Sequence, residues 1–107
     1  MSVRSIIGRT ELKPEFGSSK SFYKRAYVLT RDDGIILLKS YDTIVAYINP
    51  SNNTIQFFGW YSRTTSKHIQ EFVWQYATHS RTRSLSKQFL NDVASANYVM
   101  PIEDLPR

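Results

Sequence analysis

Residues 61–72 read YSRTTSKHIQEF and bring hydroxyls, cations and an imidazole together where a helical pattern begins. The first turn of a helix carries unpaired backbone N–H groups and a partial positive charge. Ser62, Arg63, Thr64, Thr65, Ser66, Lys67 and His68 therefore have two uses. They can hold a phosphate or carboxylate, with amides and hydroxyls as donors and Arg63 and Lys67 as counter-charge. Equally, Thr64 or Thr65 can cap the helix while the remaining polar side chains meet solvent. No glycine-rich loop precedes this turn, which excludes a nucleotide-binding P-loop.

Other residues could carry chemistry further along. His79, Arg81, Arg83 and Lys87, with a tyrosine, would supply the acid, base and phosphate-stabilising groups that a small ribonuclease needs. The same residues also describe an exposed basic loop. His68 and His79 are the two imidazoles, and neither has a carboxylate at metal-ligand spacing, so no metal site is expected. No cysteine is present, which removes disulfides, thiolate metal sites and thiol nucleophiles. No cofactor motif or serine-triad turn is visible, and the chain is expected not to be an enzyme.

Two binding surfaces compete with these. Tyr23, Arg25, Tyr27 and Tyr47 would form a strand face on which aromatics stack bases and cations meet phosphates. Tyrosines on strands also commonly rest their rings on a core edge, which is the structural alternative. Trp74 falls on the outer side of its helix with Lys67 and Glu71, suiting it to a protein contact, unless a second layer buries it.

The positioning elements follow from pattern. Residues 1–19 contain Gly8, Pro14 and Gly17 and read as an irregular arm with one short edge strand. Residues 22–30, 35–39, 43–48 and 54–60 read as strands, divided by Asp33-Gly34, Ser40-Tyr41-Asp42 and Asn49-Pro50-Ser51-Asn52-Asn53. Three short connections imply an antiparallel meander. Ile69, Phe72, Val73 and Tyr76 then recur at helical spacing, giving a helix over about 65–77 that lies on the sheet. A second helix over about 84–96 has Ser84 as its cap, a stripe of Leu85, Phe89, Val93 and Ala96, and Asn97 at its end; Pro101 and Pro106 keep the tail irregular. The expected fold is α+β, a four-stranded antiparallel meander packed by one or two C-terminal helices. One domain spans 1–107, with the arm at 1–19, the meander at 20–60 and the helical part at 64–96. The strands are apolar on both faces, so the face away from the helices needs the arm, a partner, a twin subunit or stacked bases to cover it.

Composition bounds the partners. A 107-residue chain that is 41% hydrophobic buries a core of moderate size. No apolar run reaches a signal sequence or a membrane span, so a cytoplasmic protein with no membrane partner is expected. The net charge of +5 concentrates in residues 1–31, with seven Lys or Arg against Glu11 and Glu15, and in 61–87, with five against Glu71. Such zones suit nucleic acid or an acidic protein surface.

Two motifs carry a resemblance. Leu38, Ser40, Tyr41, Thr43, Val45, Ala46 and Ile48 fit L-x-S-Y-x-T-x-V-A-x-I, and residues 61–72 fit Y-S-x-T-T-S-K-H-I-x-x-F. Together they resemble a family of small proteins carried by bacterial phages, plasmids and other mobile elements, over roughly the middle third of the chain. The resemblance implies a setting in the host bacterial cytoplasm and no set of catalytic residues. It makes a non-enzymatic binding protein the expectation, in its specific form an inhibitor of a host defence nuclease such as a CRISPR effector. The alternative is a direct DNA- or RNA-binding accessory protein. The partner would be a host protein, a ribonucleoprotein complex or nucleic acid, with a homodimer also open. The residues that would carry binding are Arg63, Thr64, Thr65, Ser66, Lys67, His68, Arg81, Arg83 and Trp74. Among them Arg63, Lys67 and His68 are those that neither cap nor core requires.

Overall fold

A computed structural model describes residues 5–15 and 24–106. The fold is α+β, with an antiparallel sheet of six strands in sequential order. The strands are β1 (Ile6–Glu11), β2 (Ala26–Arg31), β3 (Ile36–Ser40), β4 (Thr43–Asn49), β5 (Thr54–Phe57) and β6 (Met100–Pro101). The central four correspond to the expected meander. The other two come from segments expected to be largely irregular: β1 from the arm, pairing with β2, and β6 from the tail, pairing with β5. Leu12 explains the first, because its side chain is in the core and its N–H donates to Ala26 O at 2.8 Å. Met100, Ile102 and Leu105 explain the second, since all three are buried and draw the tail back onto the sheet.

Local chemistry sets the strand ends. β2 begins at Ala26, later than the pattern predicts, because Lys24 sits at φ 54 and turns the chain. β5 stops at Phe57, short of the expected residue 60, because Gly59 at φ 142 redirects it. Gly34 at φ 90 closes the β2–β3 turn, where Asp33 Oδ1 accepts from Ile35 N. Asn53 at φ 55 and an Asn49 Oδ1 bond from Ser51 N shape the β4–β5 turn.

The helix α1 (Arg63–Phe72) continues as a π-helical turn over Val73–Ala77, with Thr78 N donating to Val73 O at 2.9 Å. The expected continuous helix thus has its length but changes hydrogen-bond register after Phe72. His79 at φ 57 follows it. The helix α2 (Lys87–Ser95) is capped by Ser86, whose side chain accepts from Phe89 N, and not by Ser84. It ends on Asn97 at φ 49, with Tyr98 N to Val93 O and Asn97 N to Ala94 O bonds, a Schellman closure. Its buried anchor is Leu90, with Phe89 and Val93 partly buried and Ala96 exposed, so the stripe is rotated from the predicted one. Ile69, Phe72, Val73 and Leu90 close the core over Val28, Leu38, Ala46, Ile48, Ile55 and Phe57 of the sheet.

Candidate functional site

The start of α1 divides the YSRTTSKHIQEF cluster into two sets. Ser62 is extended, at φ −158 and ψ 168, and its side chain accepts from Thr65 N at 3.1 Å. It is therefore the cap, in place of Thr64 or Thr65, because its oxygen precedes the first turn and faces the free amides. Thr65 and His68 share the inward side of the helix. Ser40, at the end of β3, reaches both: its Oγ lies 2.9 Å from Thr65 Oγ1 and 2.8 Å from His68 Nδ1. Tyr41, in a left-handed conformation at φ 56, sets its ring 5.9 Å from the imidazole. Arg63 and Lys67 point outward and are exposed; Thr64 and Ser66 are half-buried.

This contact joins the two sequence motifs through Ser40, Tyr41, Thr65 and His68. It also places a serine hydroxyl on an imidazole nitrogen, a pairing the sequence does not signal. A nucleophile and its base need that distance and access to substrate. Ser40 is 2% exposed and His68 fully buried, so the pair is closed to solvent. What it does in this state is satisfy buried polar groups and fasten the first turn of α1 to β3. His68 is thus a core residue, and the expectation that neither cap nor core requires it is corrected; it holds for Arg63 and Lys67 alone.

The outer side of α1 is covered as well. Trp74 is 6% exposed, donates from Nε1 to Thr82 Oγ1 at 3.2 Å, and has the Arg81 guanidinium 5.4 Å from its ring. The basic loop folds back over it, which removes Trp74 as an exposed contact and ties down Arg81. Glu71 is buried rather than a surface residue. It accepts from Glu15 N at 3.1 Å and from Gln75 Nε2 at 2.7 Å, and Gln75 Nε2 also reaches Lys13 O. These bonds hold the arm after Leu12 against the helix. Gln70 Oε1 accepts from Leu85 N at 2.6 Å. Of the remaining basic residues, Lys87 lies 4.5 Å from the Trp60 ring, whereas His79 and Arg83 are exposed. Of the four groups suggested for phosphate chemistry, Arg81 and Lys87 therefore lie against different tryptophan rings.

The sheet's other face is different. Alternation from the observed register places Arg9, Tyr27, Leu29, Leu37, Lys39, Ile44, Tyr47 and Gln56 on it. Leu29 faces Leu37, and Leu37 faces Tyr47, so an apolar row runs across three strands. These side chains are half-buried, Arg9 is exposed, and Phe58 beside Tyr47 is 42% exposed. Arg9 lies 4.0 Å above the Tyr27 ring, Tyr47 Oη donates to Gln56 Oε1 at 2.7 Å, and the Tyr47 and Phe58 rings are 5.8 Å apart. Arg31 is bonded to Asp33 at 2.6 Å, which raises its pKa and sets a carboxylate against its charge, while Arg25 is exposed. Of the expected tyrosine face, Tyr27 and Tyr47 are found here, Arg25 is an exposed turn residue before β2, and Tyr23 lies outside the described residues. Leu37, Lys39, Arg9 and Phe58 were not anticipated, although strand parity with the correct register would have found the first two.

Among the described residues no helix is long and apolar enough to cross a membrane. The sequence model of a family of unknown function (DUF8033) matches residues 10–91. No curated protein and no solved structure matches the chain.

Proposed function

We propose that this chain, which belongs to the DUF8033 family, is a non-enzymatic binding protein that works through the open face of its sheet. The observation that carries the reading is the Leu29–Leu37–Tyr47 row with Tyr27 beside it, edged by Arg9 and Lys39 and without a helix over it among the described residues. Apolar centres with a charged rim are how proteins dock. The cations select an acidic partner surface.

Ring geometry favours a protein partner over bare nucleic acid. Stacking a base requires an open aromatic face. Arg9 occupies one side of Tyr27, and Tyr47 is tethered to Gln56 and leans on Phe58. The closed Ser40–His68 pair supports a non-catalytic role. Joined to the mobile-element motifs, these features make the specific reading an inhibitor acting in the host cytoplasm on a defence ribonucleoprotein such as a CRISPR effector.

The test adds the purified protein to a panel of assembled CRISPR effector–guide complexes and, separately, to labelled DNA and RNA oligonucleotides. Expected are binding to a complex, reduced target cleavage, and loss of both in Leu37→Asp and Lys39→Glu. Salt-steep binding to oligonucleotides with none to any complex would instead establish the nucleic-acid reading.

A further inference from the structure

The outer edge of β1 is the longer of the two sheet edges, since β6 at the opposite side is a two-residue strand. Among the described residues β2 is the strand beside it. Leu12 N donates inward to Ala26 O, so by antiparallel alternation Thr10 and Gly8 also direct their backbone groups at β2. The N–H and C=O groups of Arg9 and Glu11 consequently face outward. Edges of this kind are usually protected by charges that repel another strand. Here the two charges have opposite sign and stand two residues apart.

We propose that β1 is a self-complementary edge and that its occupant is a second copy of this chain, paired antiparallel about a two-fold axis at Thr10. In that register Arg9 lies opposite Glu11 of the second copy, and Glu11 opposite its Arg9, as a two-fold interface requires. Each of these pairs exchanges its outward backbone bonds and sets unlike charges on one face. Thr10 meets its own symmetry mate on the other face, a favourable cross-strand pair. The neighbouring registers are poorer: a centre at Arg9 opposes two arginines. Arg9 stays over Tyr27 and the Glu11 carboxylate keeps its bond from Lys24 N, so both side chains are held along the edge before pairing. Ile6 and Ile7, 47% and 68% exposed, lie at the strand's start and gain cover from the second copy. The dimer joins two sheets edge to edge and leaves the Leu29–Leu37–Tyr47 row free, sharing only Arg9 with the partner surface proposed above.

Such a contact is smaller than a standard interface of about 1,600 Å², so dimerisation is expected at high concentration. Sedimentation of the full chain from about 10 μM to about 1 mM should show a monomer–dimer equilibrium. Arg9→Glu and Glu11→Arg should each weaken it at least about tenfold, because each opposes like charges twice. The double variant Arg9→Glu/Glu11→Arg restores unlike pairs in the reversed order and should recover dimerisation. Amide exchange at Arg9 and Glu11 should slow with concentration while that at Thr10 does not. A monomer at every concentration overturns the proposal. So does a dimer indifferent to both charge reversals, or one lost through Leu37→Asp alone.

Discussion

The two faces of the sheet share the same strands and differ in what completes them. On one, Val28, Leu38, Ala46, Ile48 and Ile55 are sealed by α1, α2 and Leu12, and the polar groups Ser40, Thr65, His68 and Glu71 are buried with named partners. On the other, Leu29, Leu37, Tyr47 and Phe58 remain half-buried or exposed, and the polar contacts are short local ones, Arg9 with Tyr27 and Tyr47 with Gln56. Apolar alternation thus identifies a strand without telling which side is core. A face becomes core when a second layer reaches it, and here both helices go to the same side.

Truncating one large side chain on each face should separate the two most widely. Phe72→Ala, at a fully buried site, should lower the unfolding free energy by about 3–5 kcal/mol. Leu37→Ala, only partly buried on the open face, should cost less, about 1–2 kcal/mol, since part of its side chain stays in water and no second layer closes over it. Equal losses in denaturant titrations of the two variants would mean the open face is packed as core. Next in size is the polar fastening of α1. Ser40→Ala removes the shared partner of Thr65 and His68 and should cost about 1–3 kcal/mol, read by the same titration. A loss under about 0.5 kcal/mol would show that the fastening carries no stability.

A smaller contrast separates cap from neighbour. Ser62→Ala should cost about 1 kcal/mol, against less than about 0.5 for Thr64→Ala, the residue the sequence offers as a cap. The reverse order would move the cap. The smallest expected effect is at alkaline pH. Burial, and then the Glu15 charge, raise the Tyr76 pKa in the folded state. A raised pKa means the stabilising contribution is whole below the phenol's ordinary value and is lost as pH rises through the folded one. Tyr76→Phe should therefore flatten the alkaline end of a stability–pH profile, and an unchanged slope would assign it to other groups.

Much of the local grammar was legible. Asp33-Gly34, the Asn49–Asn53 turn and Asn97 act through their own backbone torsions, and Ile69, Phe72 and Val73 declare their side by spacing. Harder were features that depend on what lies opposite. Trp74 and Glu71 occupy the helix side that spacing marks as outer, yet loop and arm fold over them. Met100 opens a proline-bearing tail that reads as irregular, and it pairs with Ile55 because the buried Ile102 and Leu105 return that tail to the sheet.

The sequence by itself determined the α+β class, the central hairpins and both helices, because turn torsions and hydrophobic period act over a few residues. It also placed hydroxyls and an imidazole at the start of α1. Only the tertiary structure decided their use. Ser40 comes from a strand more than twenty residues away and draws Thr65 and His68 inward, leaving Arg63 and Lys67 in solvent. A side chain's partner across that distance is set by which layers pack, and packing is a property of the whole chain.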